Sequence, residues 1–152
     1  MTNDINAIYF DLDGTIAGFY DVPSWLADLE AEHTKPYREA KPLVDMRKLG
    51  KMLHMAQNAG LLVGIISCTS KNGTNEFNQR IADAKLKWLK KHIGSVDFDE
   101  IHIIGYYMEK YSVADCSHAI LFDDEQRHRD AWTGIAYDEK HIFDVLNSII
   151  GE

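Results

Sequence analysis

The chain has 152 residues, with 16 Lys and Arg against 24 Asp and Glu, a formal net charge of −8, and 45% apolar residues. That length suffices for one compact core, and the composition excludes an intrinsically disordered chain. The acidic excess argues against a general nucleic-acid binder, and Cys68 and Cys116 make neither a disulfide framework nor a paired zinc motif.

Ala7-Ile8-Tyr9-Phe10 reads as a first strand, followed at once by Asp11-Leu12-Asp13-Gly14-Thr15. All three prolines (Pro23, Pro36, Pro42) then fall in one irregular region, where Ser24–Glu30 reads as a short helix with Ser24 as its N-cap. Met46, Leu49, Leu53 and Ala56 recur at helical spacing between Asp45 and Asn58, with Gly60 as a stop. Leu61–Ile66 is an unbroken apolar run, as a strand buried on both faces would be, and Ser67-Cys68-Thr69-Ser70-Lys71 follows it.

A longer helix is expected from Asn75 to His92, with Phe77, Ile81, Ala84 and Trp88 as its apolar stripe, widened by Leu86, Leu89 and Ile93. Lys85, Lys87, Lys90 and Lys91 read as its wet face. Ile101–Ile104 and Ala119–Phe122 are further strands, the second ending in Asp123-Asp124-Glu125, and Gly134–Tyr137 is a weaker fifth. A last amphipathic helix carries Ile142, Val145, Leu146 and Ile149, with Asp138 as a cap. Strands alternating with helices predict an α/β fold, a doubly wound, mostly parallel sheet in one domain spanning 1–152.

Ligands in such sheets bind at the carboxyl ends of the strands. Three predicted strand ends carry carboxylates and hydroxyls, which is the informative feature of the sequence. Asp11 and Asp13 beside Asp123 and Asp124 would repel one another and resist desolvation unless a cation were present, and an oxygen-rich set suits Mg²⁺. Gly14 can turn the chain sharply, and Thr15 offers a hydroxyl to that turn. Phosphoryl transfer needs these parts: a carboxylate nucleophile, a second carboxylate as acid and base, and cations for the phosphate charge. A second Asp-x-Asp, Asp97-Phe98-Asp99, precedes a strand instead of following one, and reads as solvated loop at the far edge of the sheet. The seven histidines are scattered, without metal-ligand spacing.

Ile8 to Thr15 resembles the first motif of the haloacid dehalogenase (HAD) superfamily, an apolar strand followed by Asp-x-Asp-Gly-Thr. Ile65-Ile66-Ser67 is similar to the second motif, and Ile120-Leu121-Phe122-Asp123-Asp124 to the fourth. The resemblance implies a Rossmann-like HAD core and a Mg²⁺-dependent phosphomonoester hydrolase working through an aspartyl-phosphate. Asp11 would be the nucleophile and Asp13 the general acid and base. Asp11, the Asp13 carbonyl, Asp123 and Asp124 would serve the metal, and Ser67 with the Cys68 amide would bind phosphate. Lys110, 13 residues before Asp123, is the expected third-motif lysine and would both bind phosphate and act in catalysis; Lys71, Lys85 and Lys87 are the alternatives.

Residues 17–42 would form a short cap or flap in place of a full cap domain. Phe19, Tyr20, Trp25 and Tyr37 in it could stack on a base or anchor it to the body, with Lys35, Arg38 and Lys41 as a small basic group. The placement of Lys110 just ahead of the strand carrying the acid pair resembles that in short deoxyribonucleotidase-like members of the superfamily, and with the aromatics this resemblance implies a 5′-nucleotidase-like activity on a small phosphomonoester. The rivals are a phosphatase for macromolecular ends or phosphoproteins, and a non-catalytic phosphate-binding regulatory module. The N-terminus has no basic region ahead of an apolar stretch, and no apolar run approaches the ~20 residues that span a bilayer, so a cytoplasmic protein without a membrane partner is expected.

Overall fold

A computed structural model describes residues 5–151. Five parallel strands, β1 (Ala7–Phe10), β2 (Leu62–Cys68), β3 (Glu100–Ile104), β4 (Ala119–Phe122) and β5 (Ile135–Tyr137), form one sheet in the order β3-β2-β1-β4-β5. The helices are α1 (Trp25–Glu30), α2 (Lys35–Glu39), α3 (Met46–Asn58), α4 (Asn75–Ile93), α5 (Gln126–Ala131) and α6 (Ile142–Ile150). The expected α/β architecture is thus present, with β1 central.

Strand periodicity divides the core. Ile8 and Phe10 of β1, with Val63, Ile65, Ile120 and Phe122, face a layer built from Leu49 and Leu53 of α3, Trp88 and Leu89 of α4, and Ile142 and Leu146 of α6. Ala7, Tyr9, Ile66, Ile104 and Leu121 point the other way, against Cys116 and Trp132 at the end of α5. Each large side chain so buried contributes about 1.5–3 kcal/mol. Asp45 and Thr74 begin α3 and α4, their side chains accepting the Lys48 and Phe77 amides.

The register places the site. Phe10 of β1 pairs with Ile65 on one side and Phe122 on the other, so the chains leave the sheet at Asp11 and Asp123 side by side. The Asp11 amide donates to the Phe122 carbonyl at 2.9 Å, and the Asp123 amide to the Tyr137 carbonyl at 3.0 Å. Both acids are thereby fixed at the backbone.

Several local expectations are corrected. Strand β2 runs on through Ser67 and Cys68, and α4 starts only at Asn75, so the Cys68 amide lies in the sheet rather than at the start of a helix. Ser24 stands at the N-cap position of α1 as expected, but its hydroxyl donates to Asp28 Oδ2 at 2.5 Å and makes no capping bond to a backbone amide. Asp138 caps the short 3₁₀ turn Glu139–His141 that leads into α6. Leu86 is exposed, outside the apolar stripe of α4. Asp99, although exposed, accepts the Val63 amide at 2.8 Å and so ties β2 to the start of β3.

Residues 17–42 hold a 3₁₀ turn (Phe19–Asp21), α1, and a second helix, α2, with Pro36 in its first turn. The segment is fastened to α4. Glu32 accepts the Thr74 amide and hydroxyl at 3.0 and 2.8 Å, and the Trp88 indole N–H donates to the Ala40 carbonyl at 2.8 Å. Phe19 and Tyr37 bury themselves against Phe77, Ile81 and Ala84.

Candidate functional site

Gly14 is the pivot of the turn after β1. Its φ of +82° is a left-handed conformation that glycine adopts without penalty, and a Cβ there would collide with the Asp124 carboxylate. The turn closes through Leu12, whose carbonyl accepts the amides of Thr15, Ile16 and Ala17. This carries the Thr15 hydroxyl back over the acids: Oγ1 lies 3.0 Å from Asp11 Oδ2 and 3.2 Å from Asp124 Oδ1, and accepts the Asp124 amide.

Oxygen atoms of Asp11, Asp123 and Asp124 all lie within 4.8 Å of one another. Burial pushes the Asp123 carboxyl up to about 7, and the Asp11 charge adds to the rise against the opposing pull of Lys110. Asp124 is pushed up to about 8 by burial and again by Asp11. Two carboxyls raised in this way beside the Asp11 carboxylate, with only oxygen donors, fit a hard divalent cation such as Mg²⁺, whose charge would favour the ionised form of Asp123 and Asp124.

Lys110 enters from the loop between β3 and β4, in a 3₁₀ turn (Lys110–Ser112), and is 3% exposed. Its ammonium donates to Asp11 Oδ1 at 2.9 Å and Asp123 Oδ2 at 2.7 Å. Burial favours the neutral amine, but the two carboxylates outweigh it and hold Lys110 above its ordinary value. For Asp11, burial works upward while the Lys110 charge and hydrogen bond work downward, and the net shift is down. Asp11 is therefore a carboxylate at neutral pH.

Lys85 corrects the wet-face reading of α4. It is 2% exposed, whereas Lys87, Lys90 and Lys91 are exposed. Lys85 lies four residues beyond Ile81 and eight beyond Phe77, on the buried stripe, and that spacing was the signal available in the sequence. Its ammonium reaches Ser67 Oγ at 2.6 Å, the Cys68 carbonyl at 2.5 Å and Asp13 Oδ2 at 3.0 Å, with the Tyr37 ring 5.3 Å away. All three of its N–H donors thus have acceptors, while Lys110 keeps one unassigned. Burial raises the Asp13 carboxyl, Lys85 opposes the rise, and the net shift is upward.

These groups open into a cavity of about 350 Å³. Asp11, Asp13, Cys68 and Lys110 line it, together with Phe19, Tyr20, Trp25 and Tyr37. Of these aromatics, Phe19 and Tyr37 anchor the segment to the body, as one of the two expectations had it, while the half-exposed Tyr20 and Trp25 leave ring surface facing the cavity. Lys35, Arg38 and Lys41 are not among the cavity residues, whereas Lys71 is.

Sequence reasoning missed Tyr106, Arg127 and His128 on the same wall. His128 is buried beside the exposed Arg127, and burial, with the Lys110 and Arg127 charges, pushes it down to about 4. No spacing in the sequence joins these residues to the motifs; they meet because the loops after β3 and β4 converge.

Among solved structures, D,D-heptose 1,7-bisphosphate phosphatase from Burkholderia thailandensis matches this chain with a TM-score of 0.51 at 16% identity, over 83% of this chain and 70% of that one. The fold is HAD-like. At that identity the likeness is one of fold, and it does not extend to a nucleotidase subtype. Comparisons with protein-family models and with curated proteins give no match. No helix among the described residues is long and apolar enough to cross a membrane.

Proposed function

We propose that the protein is a phosphomonoester hydrolase in which Asp11 is the nucleophile. The observation that carries this reading is the Asp11 carboxylate, held at the end of β1 between Lys110 and Thr15, with a second, higher-shifted carboxyl, Asp13, lining the same cavity. An Asp11 oxygen attacks phosphorus as the bond to the leaving oxygen breaks, and Asp13 gives that oxygen its proton. Asp13, now a carboxylate, takes a proton from water; the water oxygen attacks phosphorus, the bond to Asp11 breaks, and inorganic phosphate leaves. Mg²⁺ bound by Asp11, Asp123, Asp124 and the Asp13 carbonyl would neutralise phosphate charge.

The two lysines divide the remaining work. Lys110, with a free N–H, takes a phosphate oxygen. Lys85 has no free donor; it fixes Asp13 and, by donating to the Ser67 oxygen, leaves the Ser67 proton available for phosphate. The Tyr20 and Trp25 surface suits a ring-bearing leaving group, so nucleoside monophosphates are the first small substrates to try. The structural neighbour, a D,D-heptose 1,7-bisphosphate phosphatase, supports the same general reaction.

Phosphate release with Mg²⁺ from nucleoside monophosphates, sugar phosphates, a phosphopeptide and a 3′-phosphorylated oligonucleotide tests the proposal. Asp11→Asn should lower the rate by roughly 10³-fold or more. Release from none of them by the wild type, or an equally active Asp11→Asn, refutes it. Lys110→Met should be more damaging than Lys87→Met; the reverse order would move the third-motif role to Lys87.

A further inference from the structure

The cavity holds two cations that the catalytic acids do not engage. Lys71 follows β2, Tyr106 follows β3 and Arg127 lies at the start of α5 after β4, so three strand ends contribute to one wall. The Lys71 ammonium stands 5.9 Å from the centre of the Tyr106 ring and the Arg127 guanidinium carbon 4.8 Å from it. One ring therefore gathers both cations, from opposite sides of the central strand in sheet order. Arg127 is oriented by His128 Nε2 at 3.1 Å and by the partly exposed Glu125 carboxylate at 3.5 Å. Among the described residues no carboxylate lies within ion-pair distance of Lys71.

The substrate phosphate, on the reading above, is held at the floor by Ser67 and Lys110. Lys71 and Arg127 are separate from that set, and in a chain of net charge −8 they form a local cationic wall beside an otherwise acidic site. Glu125 is a weak, solvent-screened partner that a better-placed anion would displace. We propose that Lys71, Tyr106 and Arg127 form a second anion subsite, so that the substrate is a phosphomonoester whose leaving group carries a further anionic group, a phosphate or a carboxylate. This rests on the phosphatase reading. It deepens that reading by placing the leaving group along the wall from the flap rings to the two cations.

Matched substrate pairs test it: phenyl phosphate against 4-carboxyphenyl phosphate, and adenosine 5′-monophosphate against adenosine 3′,5′-bisphosphate. The first pair reads a carboxylate and the second a phosphate. Wild type should favour the doubly anionic member of at least one pair by about tenfold or more in kcat/KM, expressed mainly in KM, the worth of one partly screened charge contact. In Lys71→Ala/Arg127→Ala that ratio should fall to within about threefold of one. Lys90→Ala/Lys91→Ala, which removes the same charge from the outer face of α4, should keep the wild-type ratio.

Absence of preference in both pairs overturns the subsite, as does a preference that survives the Lys71/Arg127 change or falls equally with Lys90/Lys91. If no substrate is hydrolysed, the phosphatase reading fails by itself. The subsite is then judged by calorimetric affinities of the same ligand pairs for wild type and both double variants, on the same ratios.

Discussion

Replacing Lys85 with methionine keeps the length and apolar stem of the side chain while removing the ammonium that joins Asp13, Ser67 and the Cys68 carbonyl. Lys85 is 2% exposed and the Asp13 side chain 20% exposed, so the orphaned carboxylate retains some access to water. Breaking a fully buried pair costs about 3–5 kcal/mol, and this access places the loss near about 3 kcal/mol, two decades in rate if it falls on the reaction. The loss should depend on the leaving group. An alkyl phosphate needs its oxygen protonated as the ester bond breaks, and there Lys85→Met should lower kcat/KM by about a hundredfold or more. A 4-nitrophenyl ester leaves without that help and should lose only about tenfold, from the disoriented Ser67. Steady-state kinetics on both esters, with circular dichroism to confirm folding, make the comparison; Lys85→Arg, which restores the charge, should recover part of the alkyl activity. Equal losses on the two esters would refute the positioning of Asp13 by Lys85.

On the proposed reading Mg²⁺ would have to displace protons from Asp123 and Asp124, raised to about 7 and about 8, so its apparent affinity should climb as pH rises from 6 to 8, with proton release seen as buffer-dependent heats; a flat affinity over that range would count against the metal site. Gly14→Ala forces a left-handed residue at about 1–2 kcal/mol and pushes on the Asp124 carboxylate. It should lower Tm by about 5 °C and weaken Mg²⁺ binding, and unchanged values for both would refute the tight-turn argument. His128, ordinarily near 6.5 and here about 4, stays neutral in the fold while the unfolded chain takes up a proton as pH falls below 6.5. Stability should therefore drop with falling pH by up to about 3 kcal/mol by pH 4. In His128→Gln, urea midpoints at pH 7 and pH 4.5 should lie closer together than in wild type, and parallel pH curves would contradict the burial of a neutral imidazole.

The acids that define the site were legible because each sits directly after an apolar strand, and a strand end is a local property. Asp11 needs only Phe10 before it and Gly14 after it to be recognised; Asp123 needs only Phe122. Lys85 was not legible in the same way. A lysine among lysines on a helix reads as solvated, and its place on the Phe77–Ile81 stripe acquires meaning only when Asp13 and Ser67 are found opposite it. Helix α2 was hidden by Pro36, which marks irregular chain unless it stands in a first turn, as it does here.

By itself the sequence determined the alternation of strands and helices, the acids at their carboxyl ends and the sharp turn at Gly14, since periodicity and local backbone preference act over a few residues. The tertiary structure decided which lysine meets which carboxylate, that Thr15 spans Asp11 and Asp124, and that Lys71 and Arg127 share the Tyr106 ring. Those pairings join residues up to 109 positions apart. They exist because the parallel register lays β2, β1 and β4 side by side, and the energy of a buried charge depends on what that register brings within about 3 Å of it.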